Sequence, residues 1–253
     1  MSDQQAVKTM KQLLEANTSY GVRRISQVFR DFCELAAIAL RNAVDRDGWT
    51  EREKRYLQVI SPYSHEEADR FAQIMAILAA ELDRERSDVL GHLYMSLELG
   101  SDEMGQFFTP YHVSQLIAGM ASLDLAGQVR DKGFVTVSEP TCGSGGMIVA
   151  QAEQMRADGL NYQQQLHVTA QDIELTSVHM TYIALALLHI PAVVTHGDTL
   201  SMEVRDRWFT PAHILGGWSA RLRSEPAANH ESGQTLNPKT TDSEEVLEDV
   251  SVA

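Results

Sequence analysis

The sequence predicts an α/β chain: about a hundred helical residues, then strands alternating with helices around a parallel sheet. Three observations carry this. Apolar residues between 24 and 99 recur every three or four positions, with few prolines or glycines to interrupt them. From Phe134 the period changes to short apolar runs separated by helix-like segments. Between the first run and its following helix stands a glycine-rich turn, residues 139–146.

In residues 24–44, Ile25, Val28, Phe29, Phe32, Leu35 and Ile38 make one apolar stripe. Thr50-Glu-Arg-Glu and Ser64-His-Glu-Glu have capping-box spacing and predict two further helix starts. Ser87 is placed to cap another helix to about Leu99, where Gly100 stops it. Thr109 as N-cap and Pro110 as first helical residue predict a helix to about Ser122. Strands are expected at 134–138, 167–172 and 192–196, with helices at 146–157 and 175–188 between them. Residues 208–218 are aromatic and compact but show no strand pattern. The expected division is a helical N-terminal domain over 1–104, an α/β domain over 105–223, and a disordered acidic tail over 224–253.

The net charge is −14, of which −6 falls in residues 224–253. An acidic chain lacks the basic footprint of most nucleic-acid-binding domains. DNA contact would therefore need a local patch, such as Arg23, Arg24 and Arg30, or Arg205, Arg207, Arg221 and Arg223, or a basic partner. No apolar run nears the roughly 20 residues that span a bilayer. The first residues, Met-Ser-Asp-Gln-Gln, read as no signal peptide. Two separated cysteines, Cys33 and Cys142, give no disulfide framework, so the expected compartment is the cytoplasm. The nine histidines show no metal-ligand spacing.

The turn at 139–146 carries the chemistry. Its glycines let backbone approach a ligand, and the following helix offers unpaired N–H groups. Met147 and Ile148 stand where a phosphate loop has Lys and Ser or Thr, and the strand ends in an acid, Glu139. Ligands of parallel sheets sit at the carboxyl ends of the strands. Here those ends carry Glu139, Asp172 and Asp198. Three carboxylates suit a cationic, adenosine-bearing ligand such as S-adenosylmethionine.

Gly105-Gln-Phe-Phe108-Thr109-Pro110, Glu139-Pro-Thr-Cys142-Gly143-Ser144-Gly-Gly146, Gln171-Asp172-Ile173 and Gly197-Asp198-Thr-Leu200 together resemble N6-adenine DNA methyltransferases. The order is most similar to the modification subunits of type I restriction systems, which also carry a helical domain ahead of the first motif. The resemblance covers residues 65–200 and implies a Rossmann-like methyltransferase sheet with S-adenosylmethionine as cofactor. It implies that Phe108, Thr109 and Pro110 lie against the methionine part. Glu139 and the turn Cys142-Gly143-Ser144 would meet the amino and carboxylate groups. Asp172, or Glu174 as a second choice, would grip the ribose hydroxyls, and Asp198 would bind the adenine amino group.

One motif departs from the pattern. The family's Asn-Pro-Pro-Tyr or Asn-Pro-Pro-Phe, which holds the target amino group and stacks the flipped base, does not occur in these 253 residues. The catalytic residues are thus unassigned. The alternative reading is a degenerate methylase homologue that binds the cofactor and regulates, or acts as a decoy partner of, restriction-modification systems. Three parallel strands in the order third, second, first make half of a methyltransferase sheet and leave the first strand as an open edge. Three covers are expected for it: residues 208–218, the helical region, or a second chain, self or a restriction-modification subunit, with a small tail strand around Val246 to Val252 as a further choice.

Overall fold

The computed structural model describes residues 3–19, 21–99, 108–121 and 125–224. The N-terminal region is helical: α1 (Asp3–Ala16), α2 (Ile25–Asn42), α3 (Trp49–Ile60), α4 (His65–Arg84) and α5 (Val89–Ser96). After α6 (Tyr111–Ala121) and α7 (Leu125–Lys132) the alternation begins, with β1 (Val135–Glu139), α8 (Gly146–Ala157), α9 (Tyr162–Gln165), β2 (Leu166–Asp172), α10 (Leu175–Leu187) and β3 (Ala192–Asp198). The last described elements are β4 (Glu203–Phe209), α11 (Pro211–Leu215) and α12 (Trp218–Arg223). The mixed α/β class is as expected. Gly100, residues 105–107, the acidic segment from 225 onward and its Asn237-Pro238 lie outside the described residues.

Local chemistry sets the helix ends. Ser64 and Glu67 form the expected capping box, with the Glu67 N–H donating to Ser64 Oγ and the Ser64 N–H to Glu67 Oε2. Hydrogen bonds from Ser19 and the Ser64 N–H, with Arg23 at 2.8 Å, hold the Glu67 carboxyl down at about 2. The other two caps differ from expectation. Helix α3 starts at Trp49 behind Gly48 in the left-handed region, so Thr50 sits inside it. Helix α5 is capped by Asp88, not Ser87, since the Asp88 carboxylate accepts from the Gly91 N–H at 2.9 Å. A carboxylate and a hydroxyl are near-equal N-caps, so adjacent Ser and Asp leave the choice to tertiary contacts.

The sheet order is β1-β2-β3-β4. Strands β1, β2 and β3 are parallel, with Val137 opposite Val168 and Ala170 opposite Val194. Helix α10 is buried on almost every side, which its nearly all-round apolar sequence requires. It packs on β2 and β3 and, on its other side, against α2. One apolar cluster runs from Met10 in α1 to Trp208 in β4. Among the described residues, no helix is long and apolar enough to cross a membrane.

Strand β4 corrects the sequence reading. It runs antiparallel to β3, with Val194 opposite Trp208 and a register shift at His196 and Gly197. Residues 203–209, Glu-Val-Arg-Asp-Arg-Trp-Phe, hide their strand character because five of the seven are exposed and four of those are charged. Only Trp208 reaches the buried face. The segment therefore caps β3, on the opposite side of the sheet from β1. It does not pair with the β1 edge, as one of the three expected covers required. Trp218 reaches only the start of β1, where it packs edge-on against Phe134 with ring centres 5.1 Å apart.

Candidate functional site

The turn from β1 to α8 is fastened from three sides. From the end of β2, the Gln171 carbonyl accepts from the Cys142 N–H at 2.8 Å and Asp172 Oδ2 accepts from the Gly143 N–H at 2.9 Å. From α10, Thr181 Oγ1 donates to the Gly143 carbonyl at 2.9 Å. From the N-terminal helices, Asp88 Oδ2 accepts from Ser144 Oγ at 2.6 Å. Gly143 and Gly145 take φ values of +54° and +86°, the left-handed region that favours glycine. Phe108 crosses the turn. Its ring packs on Tyr94, centres 4.9 Å apart, and its Cδ1 lies 2.9 Å from where a Cβ on Gly143 would stand.

These fastenings leave a cleft of about 460 Å³ at the carboxyl ends of β1 and β2. Phe108, Thr109, Glu139, Cys142, Gly143, Ser144 and Asp172 of the expected set line it. Three carboxylates face it, from Asp88, Glu139 and Asp172, and among the described residues no Lys, Arg or His lines it. Burial, reinforced by Asp172, pushes the Glu139 carboxyl up, and a cation bound beside it would offset that shift. Asp172 also accepts from the Glu174 N–H at 2.9 Å through Oδ1, so one carboxylate joins the glycine turn to the start of α10.

The other expected residues stand outside this lining. Pro110 is exposed, and its carbonyl accepts from the Ser114 N–H, which makes it the N-cap of α6 one residue later than predicted. Glu174 caps α10, accepting from the Ser177 N–H at 2.7 Å. Asp198 is the last residue of β3 and only partly buried. It accepts from the Leu200 and Ser201 N–H groups, which hold its carboxyl below the usual range. Thr199 Oγ1 donates to the Pro140 carbonyl at 2.6 Å and ties the end of β3 to the glycine loop. Burial pushes the Cys142 thiol to about 12, so it is protonated at neutral pH and no thiolate nucleophile.

Asp88 is the lining carboxylate that the sequence reading missed. Its signal was present: an acid directly before the apolar run Val89-Leu90, yet 6% exposed in the folded chain. A buried acid at a helix start needs donors, and here they come from Gly91 and from the glycine turn 56 residues on.

The model of the N-6 DNA methylase family matches residues 85–214, more than half of the chain. The chain belongs to the N-6 DNA methylase family. The match begins just before Asp88 and takes in the whole cleft. A crystal structure of a putative class I S-adenosylmethionine-dependent methyltransferase from Listeria monocytogenes is similar at 14% identity and a TM-score of 0.46. That likeness covers 80% of this chain and 56% of the other. No curated protein matches the chain. S-adenosylmethionine is the cofactor of this methylase family. The cleft fits it: three carboxylates face a ligand bearing an ammonium and a sulfonium, and none of the lining side chains repels those charges.

Proposed function

We propose that this chain is the cofactor-binding portion of an adenine-N6 DNA methyltransferase of the type I restriction-modification kind. Glu139 and the turn at Cys142, Gly143 and Ser144 hold the amino-acid end of S-adenosylmethionine. Asp172 takes the ribose hydroxyls, with Glu174 behind it, and Phe108, Thr109 and Pro110 shield the methionine chain. Asp198, at the end of β3, takes the adenine amino group of the cofactor. Bound there, the cofactor supplies the methyl group that the adenine exocyclic amine attacks.

One observation carries the reading that this chain does not complete catalysis by itself: the direction of β4. Thr210-Pro-Ala-His213, the nearest counterpart of the catalytic motif, follows an antiparallel strand. It therefore lies beside Ala192, at the far end of β3 from the cleft. The Thr210 N–H donates to the Ala192 carbonyl at 3.0 Å, and the Ala192 N–H to Thr210 Oγ1 at 2.9 Å. A second chain seated on the β1 edge, a further copy or a restriction-modification subunit, would bring the groups that hold and stack the base. Thr136 and Ser138 on that strand are exposed. The same observation favours a second reading, a cofactor-binding regulator of such a system.

DNA contact is expected to come mainly through the partner. Arg23 is committed to Glu67 at 2.8 Å, Arg205 to Glu203 at 3.0 Å, and Arg221 lies over the Trp218 ring. The experiment is a calorimetric titration of the purified chain with S-adenosylmethionine, followed by transfer of labelled methyl groups to DNA. Binding in the micromolar range without transfer is the expected result. Methylated adenine made by this chain alone would overturn the need for a partner. Absence of binding by the folded chain would overturn the cofactor reading.

A further inference from the structure

We infer that Asp88, supplied by the N-terminal helices, is a specificity-determining residue of the cofactor cleft, selecting a ligand whose amino-acid end carries an ammonium. The inference rests on the reading of the cleft as an S-adenosylmethionine site. A glycine turn that opens a helix is a ready receptor for phosphate, because the first N–H groups point outward with positive dipole charge. In this chain a carboxylate already stands there. Asp88 Oδ2 lies 2.7 Å from where a Cβ on Gly146 would be, and Gly146 is the first residue of α8. The position is fixed twice, by the Gly91 N–H on Oδ1 and by Ser144 Oγ on Oδ2.

That placement has two effects. The resident negative charge repels phosphate from the start of α8. It also offers a carboxylate to an ammonium at the end of the cleft bounded by Ser144, Gly146 and Met147. A carboxylate accepts about four hydrogen bonds, and bonds between opposite charges are the strong ones. Asp88 and Glu139 would share the ammonium, while Asp172, which grips Gly143 from the other side, is left to the ribose. The N-terminal helices are then a wall of the cofactor site and set its ligand.

The test compares three ligands on the full chain: S-adenosylmethionine, S-adenosylhomocysteine and 5′-methylthioadenosine, which lacks the amino-acid end. Titrations use the parent protein, Asp88→Asn and Ser144→Ala, each with its fold checked by circular dichroism. Loss of a charge-assisted bond corresponds to a drop of about tenfold or more in affinity. Asp88→Asn is expected to weaken the first two ligands by that factor and leave 5′-methylthioadenosine within about twofold. Ser144→Ala keeps the charge but frees it from its anchor, so the same two ligands weaken by a smaller factor. If Asp88→Asn does not fold, the Ser144→Ala pattern decides. Equal weakening of all three ligands would mean that Asp88 only supports the turn, and unchanged affinities would mean that it does not meet the ligand. Either would overturn the inference. A parent protein that binds none of the three would overturn the cofactor reading and the inference with it.

Discussion

Replacing Asp172 by Asn changes one atom type and little volume, yet its consequences can be worked out. The carboxylate accepts from the Gly143 N–H through one oxygen and from the Glu174 N–H through the other, each at 2.9 Å. An amide has one acceptor oxygen, so its NH₂ must face one of these two donors. Hydrogen bonds to a charged group contribute about 1.5–3 kcal/mol each, and the group left facing a donor is worse than unpaired. A loss of about 2–3 kcal/mol is expected, out of the roughly 5–15 kcal/mol that domains possess. With a urea slope of about 2–3 kcal/mol/M, the unfolding midpoint should fall by about 1 M. On the proposed binding mode the ribose hydroxyls would lose their charged acceptor and the glycine turn its tie to β2, so cofactor affinity should fall by about thirtyfold, or 2 kcal/mol. Urea denaturation and calorimetry read the two effects separately. An unchanged midpoint would refute the argument that this carboxylate fastens the turn. An unchanged affinity would refute its place in the cofactor site.

Two further perturbations separate the ends of the molecule. Thr210→Val keeps the shape of a fully buried side chain but removes the acceptor of the Ala192 N–H and the cap of α11. It should cost about 2–4 kcal/mol in urea denaturation, with cofactor affinity unchanged because the residue lies at the far end of β3. His179, enclosed within α10, is held down to about 4 first of all by burial. The unfolded chain takes up that proton near the ordinary 6.5, so stability should fall as pH drops from about 6.5 toward 4. Thermal melting across that range should show a shallower slope in His179→Leu, and an identical slope would remove His179 as the cause.

Helix α2 was legible because its apolar residues recur at helical spacing, and the three parallel strands because short apolar runs stand before Glu139, Asp172 and Asp198. The glycine turn was legible for a different reason, since few other uses need that many glycines between a strand and a helix. Strand β4 was not, because it is covered on one side by a single residue, Trp208, and charged elsewhere. Helix α7 was missed likewise, as it buries only Leu125 and Val129. In the cleft, the acids at strand ends could be read from position along the chain. Asp88 left only a local trace there, because its partner is 56 residues away and the neighbouring Ser87 took the expected cap.

The two margins of the sheet are unequal, and this bears on how copies of the chain can associate. Strand β4 presents Glu203, Arg205, Asp206 and Arg207, a mixed-charge border that discourages pairing with another strand. Strand β1 presents Val135-Thr-Val-Ser138, with no charge before Glu139. The sheet can thus be extended from one side only. Two copies meeting at β1 across a twofold axis would use up the reactive margin of both and stop, a closed pair bordered at each end by charged strands. Head-to-tail stacking, which would need β1 of one copy to accept β4 of the next, is opposed at every junction. If copies of this chain pair through β1, the unequal margins of the described strands would favour a finite assembly over fibres.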